Sequence, residues 1–164
     1  MDILTLGNDI LRQKATPVKN LKDNLLQWKE TAQKMFEVLK REKGVGLAGP
    51  QVGLMQRIFV VSVDGDVPRV FINPSIIETS QETARHEEGC LSVPGAWADV
   101  VRPRAVKVQA WDERGRAFTL EASGFLARVI LHEYDHLEGI LFVDRLSEFK
   151  RKRIINKVTR QGQK

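Results

Sequence analysis

A single cysteine, Cys90, stands in the 164 residues, so no internal disulfide can form, and the thiol is either a small buried hydrophobe or a chemical group. Nowhere do about 18 apolar residues run together, which excludes a membrane-crossing helix, and the first twenty residues lack the basic-then-apolar run of a signal peptide. Low-complexity tracts are absent too. With 42% hydrophobic and 29% charged residues, the chain has an ordinary globular composition and enough length to bury a core as one domain over residues 1–164. The expectation is a soluble cytoplasmic protein with neither a membrane nor a DNA partner.

Excess charge of one sign is missing from most of the chain. Of 26 basic and 21 acidic residues, seven Lys/Arg and one acid fall in residues 148 to 164, leaving 19 against 20 in residues 1 to 147. The net charge of +5 is therefore a property of the tail. Its residues Lys150, Arg151, Lys152, Arg153 and Lys157 read either as the solvated face of an amphipathic helix or as a contact for phosphates.

The patterns that are present segregate along the chain. Leu25, Trp28, Ala32, Met35, Phe36 and Leu39 recur at the spacing of one helical face within 21–43, with Gly44 placed to stop the helix. Gly44, Gly46, Gly49, Gly53 and Pro50 break residues 44–53 into a loop or an irregular edge. Residues 57–63 and 68–74 read as strands joined through Asp64-Gly65, and 105–111 with 116–122 as a second hairpin around "DERG". Between the hairpins, 86–103 is interrupted by Gly89, Pro94 and Gly95 and reads as loop-rich. A helix follows Ser123-Gly124 and stops at Gly139, with Phe125, Val129, His132 and His136 on one face. A last helix starts near Ser147. The class is α+β, with antiparallel or mixed β-sheets packed around a central helix bearing HExxH, plus an N-terminal and a C-terminal helix.

That central helix carries "HEYDH" at 132–136. Side chains at i and i+4 stand one turn apart on one face, so two imidazoles can reach a common ion, with Glu133 at the edge of the face as a general base. A lone histidine would more simply be a core or surface residue; the full pattern on an apolar helix outweighs that. A metal needs a third ligand, for which the candidates are His86, Cys90 and several carboxylates. Cys90 leads, because it lies in a glycine-broken segment where a thiolate can approach an ion. Asp135 reads either as a partner orienting a histidine or as a surface aspartate. Glu88 and Arg102 read as a surface ion pair of little energetic weight.

Three stretches together resemble the peptide deformylase family: "GVGLAGPQ" (44–51) its GxGLAAPQ, "EGCLS" (88–92) its EGCLS, and "HEYDH" its HExDH, in the same order and spacing. The resemblance implies metal ligation by Cys90, His132 and His136, Glu133 as general acid and base, and an oxyanion served by the Gln51 side-chain amide and the Leu91 N–H. It also implies that Gly46 and Gly89 line the peptide cleft, and that Val45, Val129 and the alkyl stem of Arg128 neighbour an apolar pocket. The ion would be divalent, Fe²⁺ first, with Zn²⁺, Ni²⁺ or Co²⁺ also suited to thiolate and imidazole. The substrates implied are formyl-methionyl nascent peptides, and the basic tail implies a contact with the ribosome.

Two positions depart from the family pattern. Gly49 stands where alanine is usual, which is expected to loosen the loop holding Gln51, and Leu131 stands where glutamine is common. Rival readings are a HExxH metallopeptidase cutting internal bonds, a nucleic-acid-binding module with a structural metal site, and a Cys-His thiol hydrolase.

Overall fold

The computed structural model describes residues 1–162. After two short 3₁₀ segments, helix α1 (Leu25–Arg41) leads into β1 (Gly46–Ala48), a 3₁₀ turn (Gly49–Val52), β2 (Ile58–Val61) and β3 (Arg69–Thr79). Then come β4 (Thr83–Cys90), β5 (Val93–Pro103), β6 (Ala105–Trp111), β7 (Ala117–Ser123), α2 (Gly124–Leu137) and α3 (Glu148–Gly162). One sheet has the order β1-β2-β3-β6-β7 and a second pairs β4 with β5, every pairing between these strands being antiparallel. The α+β class is thus as expected.

Burial on both faces explains why β2 reads as an unbroken apolar run instead of an alternating one. Ile58 and Val60 face the cluster built with Trp28, Met35 and Leu39 of α1, while Phe59 and Val61 face the cluster built with Ala127, Ile130 and Leu131 of α2. The five-stranded sheet is therefore held between two helices, and α2 is packed against it through an apolar cluster. A third cluster seats Val93 and Val100 of β5 on Phe142, Val143 and Val158, so the hairpin leans on the segment that leads into α3.

Several expectations need correction. Residues 86–103 are not loop-rich but lie almost wholly in the β4–β5 hairpin. Its breakers have local reasons: a Cβ on Gly89 would collide with the ring of Trp97, its cross-strand partner, and Pro94 and Gly95 lie in a two-stranded ribbon, where edge positions tolerate them. The left-handed residue after α1 is Lys43 (φ 57°) and not Gly44, whose missing side chain instead leaves room for Leu39 and Leu91. Phe125, placed on one face with Val129, His132 and His136, is 49% exposed and does not join their burial. In the basic segment 148–164, Ser147 caps α3 as read, its carbonyl accepting from Arg151 N at 2.9 Å; Gln163 and Lys164 lie outside the described residues.

Gly139 ends α2 with φ 75°, and a Cβ there would stand 2.6 Å from the Arg12 carbonyl oxygen. Gly139→Ala is therefore expected to lower stability by about 1–3 kcal/mol through left-handed strain and the clash combined. Denaturant unfolding checks this, and an unchanged midpoint would contradict it.

Candidate metal centre

Two elements from different parts of the fold meet here. Helix α2 presents His132 and His136 one turn apart, their ring centroids 5.1 Å from each other. Strand β4 ends at Cys90, where a register shift after Gly89 breaks the ladder and re-aims the chain. The thiol Sγ lies 3.3 Å from His136 Nε2, and the ligand atoms of Cys90, His132 and His136 all fall within 4.8 Å of one another. Both histidines are buried, at 8% and 1% exposure. Of the candidates for the third ligand, then, Cys90 joins the histidines; His86 is exposed on β4, its Nδ1 beside the Glu87 carbonyl.

The ionisation of these groups shows what the cluster requires. His132 is pushed up to about 10: burial opposes its charge, but the contacts with Cys90 and Glu88 and the nearby Glu133 outweigh burial. His136 is held far below the ordinary imidazole value by burial and by the charges of His132 and Arg102. The two imidazoles are thus shifted in opposite directions, His132 by its acidic neighbours and His136 by burial. Among the described residues, His136 Nδ1 and Glu133 Oε1 are buried without a hydrogen-bond partner. One sulfur and two imidazole donors gathered at this distance fit a divalent cation.

Glu88 orients the first histidine. Its Oε1 accepts from His132 Nδ1 at 2.8 Å, which turns Nε2 toward the cluster, the arrangement by which carboxylates fix ligating imidazoles. Arg102 binds the same carboxylate twice, at 2.6 and 3.0 Å, and Arg128 adds a contact at 2.6 Å. The Glu88 carboxyl is held at about 2: burial raises it, but hydrogen bonds from His132 and Arg102 win. The Glu88–Arg102 pair is therefore not a surface pair, since the residues are only 6% and 5% exposed. Asp135 holds Arg102 at 2.9 Å and Arg145 at 2.8 Å and orients no histidine.

Glu133 is 3% exposed, and burial raises its carboxyl to about 7 against the lowering fields of His132 and Arg102. A Cβ on Gly46 would lie 2.6 Å from Glu133 Oε2, so the bare backbone of β1 is what admits this carboxylate. Gln51 is locked at one end, its Oε1 accepting from Ala48 N at 2.9 Å. Its Nε2 consequently points at Ser92 Oγ (3.1 Å) and Cys90 Sγ (3.6 Å). Leu91 is half-buried in the turn between β4 and β5.

The two departures take concrete form. A Cβ on Gly49 would meet the Leu54 carbonyl oxygen at 2.6 Å, and Leu54 N donates to the Gly49 carbonyl at 2.9 Å, so glycine here serves close packing of the loop. Leu131 is buried in the apolar cluster under the sheet. Val45 is 40% exposed and Val129 is buried, while the Arg128 guanidinium is committed to Glu88 and to the carbonyls of Val100 and Ala84. Sequence reasoning missed Glu88 as the orienting carboxylate, the buried head of Arg128, and Ser92. The spacing of Arg128 four residues before His132 was the available signal.

Fold and site together define an α+β chain whose HExxH helix and cysteine-bearing hairpin assemble one candidate cation centre. Residues 1–152 match the family model described as polypeptide deformylase. The chain is 45% identical over 162 residues to the peptide deformylase of Borreliella burgdorferi, covering 98% of this chain and 96% of that one. Over 138 residues it is 50% identical to peptide deformylase 1 of Clostridium perfringens, covering 84% and 91%. The crystal structure of a peptide deformylase from Legionella pneumophila superposes with a TM-score of 0.90 at 38% identity, covering 99% and 95%. The chain belongs to the polypeptide deformylase family.

Removing the Glu88 carboxylate leaves two buried arginines short of an anion, so Glu88→Ala is expected to cost about 3–5 kcal/mol in the metal-free protein. A group held at about 2 against its ordinary 4.5 adds stability that is present above pH 4.5 and lost as pH falls toward 2. Glu88→Gln should flatten that part of the stability–pH curve; a curve as steep as wild type would refute the assignment.

Proposed function

We infer that this chain removes the formyl group from the N-terminal formyl-methionine of newly made polypeptides, releasing formate, and that it does so as one catalytic domain. The observation that carries the reading is a buried carboxylate, Glu133, and an aimed amide, Gln51, beside the donor cluster of Cys90, His132 and His136 in a chain of this family. Those three residues would hold the divalent ion. When bound, such an ion supplies Lewis acidity, making a water more acidic and a carbonyl carbon more electrophilic.

The remaining work falls to the protein. With its carboxyl raised to about 7, Glu133 exists in both forms near neutrality, the condition for one group to act as base and then as acid. It accepts a proton from the water that adds to the formyl carbon. Gln51 Nε2 and the Leu91 N–H donate to the oxygen that becomes negative, a donor of this kind being worth about 10² to 10³ in rate. Glu133 returns the proton to the leaving amine, the C–N bond breaks, and formate and a free N-terminus remain. Glu88 keeps His132 in one tautomer throughout, because its Oε1 accepts the Nδ1 proton.

Substrate choice rests on the cleft. Gly46 and Gly89 leave backbone open for an extended peptide, while Val45, Val129 and the alkyl stem of Arg128 supply the apolar wall for the methionine side chain. The formyl group presents only hydrogen beyond its carbonyl, so a tight site excludes acetyl. Iron(II) is the first choice of ion for this donor set, with zinc, nickel and cobalt as the alternatives. Among the described residues no helix is long and apolar enough to cross a membrane, in keeping with work in the cytoplasm.

In α3, Arg151 already pairs with Asp144 and Lys152 with Glu148, while Lys150, Arg153 and Lys157 are exposed. That leaves a basic face suited to RNA phosphates at the ribosome. Reversing these three charges is expected to abolish co-sedimentation with ribosomes and leave cleavage of short peptides intact; unchanged sedimentation would remove the partner from the reading.

The activity itself is tested by formate release from a short formyl-methionyl peptide, using protein purified without air. Wild type should release formate, Glu133→Ala should lose about 10² to 10⁴ of the rate, and the unformylated peptide should stay whole. No formate from metal-loaded protein would overturn the reading, and cleavage inside the unformylated peptide would replace it with a metallopeptidase.

A further inference from the structure

Arg128, His132 and His136 occupy positions i, i+4 and i+8 of α2, so they form one stripe on a single helical face. The first of the three carries a guanidinium that reaches neither solvent nor the donor cluster. It is 6% exposed, and its hydrogen bonds all go to the β4–β5 hairpin. Nη1 donates to Glu88 Oε2 at 2.6 Å and to the Val100 carbonyl at 2.9 Å, while Nη2 donates to the Ala84 carbonyl at 2.8 Å. One side chain of the helix thereby holds both strands of the hairpin whose end carries Cys90.

The division of labour on Glu88 makes the contact more than an anchor. Oε1 accepts from His132 Nδ1 (2.8 Å) and Arg102 Nη2 (3.0 Å), and Oε2 accepts from Arg102 Nε (2.6 Å) and Arg128 Nη1 (2.6 Å). Each oxygen is thus doubly bonded to donors, and rotation of the carboxylate that would free His132 must also break the Arg128 contact. Arg102 alone grips both oxygens from one side. Arg128, coming from the helix, ties the carboxylate to the element that carries the histidines.

We propose that Arg128 is a positioning residue for the cation centre, acting through Glu88 to hold the His132 ring and the Cys90 hairpin in register with α2. This rests on the reading of Cys90, His132 and His136 as ligands of a divalent ion. Partners that orient ligating imidazoles typically contribute 10- to 100-fold to metal affinity, and Arg128 is one bond further out along the same chain. The guanidinium also has a planar fork that spans a carboxylate and two strand carbonyls at once, which an ammonium on a lysine stem would not reproduce.

The test uses Co²⁺ as probe, with affinity measured by competition against a chromophoric chelator and geometry read from the Co²⁺ absorption bands. Arg128→Met, which fills the space, is expected to weaken Co²⁺ binding by about 10-fold or more and to shift the bands. Arg128→Gln keeps a donor for the strand carbonyls but no charge for Glu88; it is the milder variant if Arg128→Met does not fold, and it should change in the same direction. Because Arg128 acts through Glu88, either substitution should have little further effect in a Glu88→Gln background, whereas equal fold-changes in both backgrounds would overturn the proposal.

Arg57→Met is the control. Arg57 Nη1 donates to the carbonyls of Ala15 (3.4 Å) and Leu137 (3.1 Å) and its Nη2 pairs with Glu138 (3.2 Å), so it ties the end of α2 without touching Glu88. It should lower thermal stability and leave the Co²⁺ bands in place; if it loosens Co²⁺ as much as Arg128→Met does, general loosening explains both and the proposal falls. Wild-type protein that binds Co²⁺ but releases no formate would sink the deformylase reading and leave the Arg128 comparison readable.

Discussion

The candidate centre depends on one buried carboxylate. Cys90 arrives on the β4–β5 hairpin and the histidines on α2, two elements that share no strand pairing, and Glu88 is where they are joined through His132. Glu88, Arg102, Arg128 and Asp135 are all buried, and taking such charges out of water costs much of what their pairing returns. The network is therefore better understood as a device for geometry than for stability. It sets the ring orientation of His132 and the height of the hairpin above the helix with charge-assisted bonds that tolerate little slack.

The rest of the fold makes that geometry reproducible. Because β2 is buried on both faces, α1 and α2 are pressed to opposite sides of one sheet, and α2 cannot roll without opening the cluster of Phe59, Phe71 and Ile130. Absent side chains matter as much as present ones here. Gly46 gives Glu133 its place, Gly89 gives Trp97 its place across the hairpin, and Gly49 lets the Gln51 loop close on the Leu54 carbonyl. Each glycine looks like a loop signal in the sequence, yet two of the three sit in strands and all three serve close approach.

That distinction marks what was legible in the sequence. The helix of residues 25–41 and the His132–His136 pair follow local periodicity, and the β2–β3 and β6–β7 hairpins show as short apolar or β-rich runs around turn residues, signals that survive folding intact. The β4–β5 hairpin did not show itself, because a two-stranded ribbon tolerates Gly89, Pro94 and Gly95, and those residues erase the alternation by which a strand is recognised. Glu88 and Arg102 were visible as a pair, but burial is a tertiary property. Fourteen residues apart on adjacent strands, they gave no sign that α2 closes over them.

The same tertiary burial accounts for the acid–base character of the site. Glu133 and Glu88 are both carboxylates within a few residues of the donors, yet one is raised to about 7 and the other held at about 2. What separates them is the supply of donors: Glu88 receives two arginines and an imidazole, whereas Glu133 Oε1 has no partner among the described residues. A carboxylate saturated with donors cannot exchange protons near neutrality, and one that is buried but unsaturated can. Hydrogen bonds from His132 and Arg102 therefore keep Glu88 ionised, while burial, opposed by the fields of His132 and Arg102, leaves the Glu133 carboxyl raised.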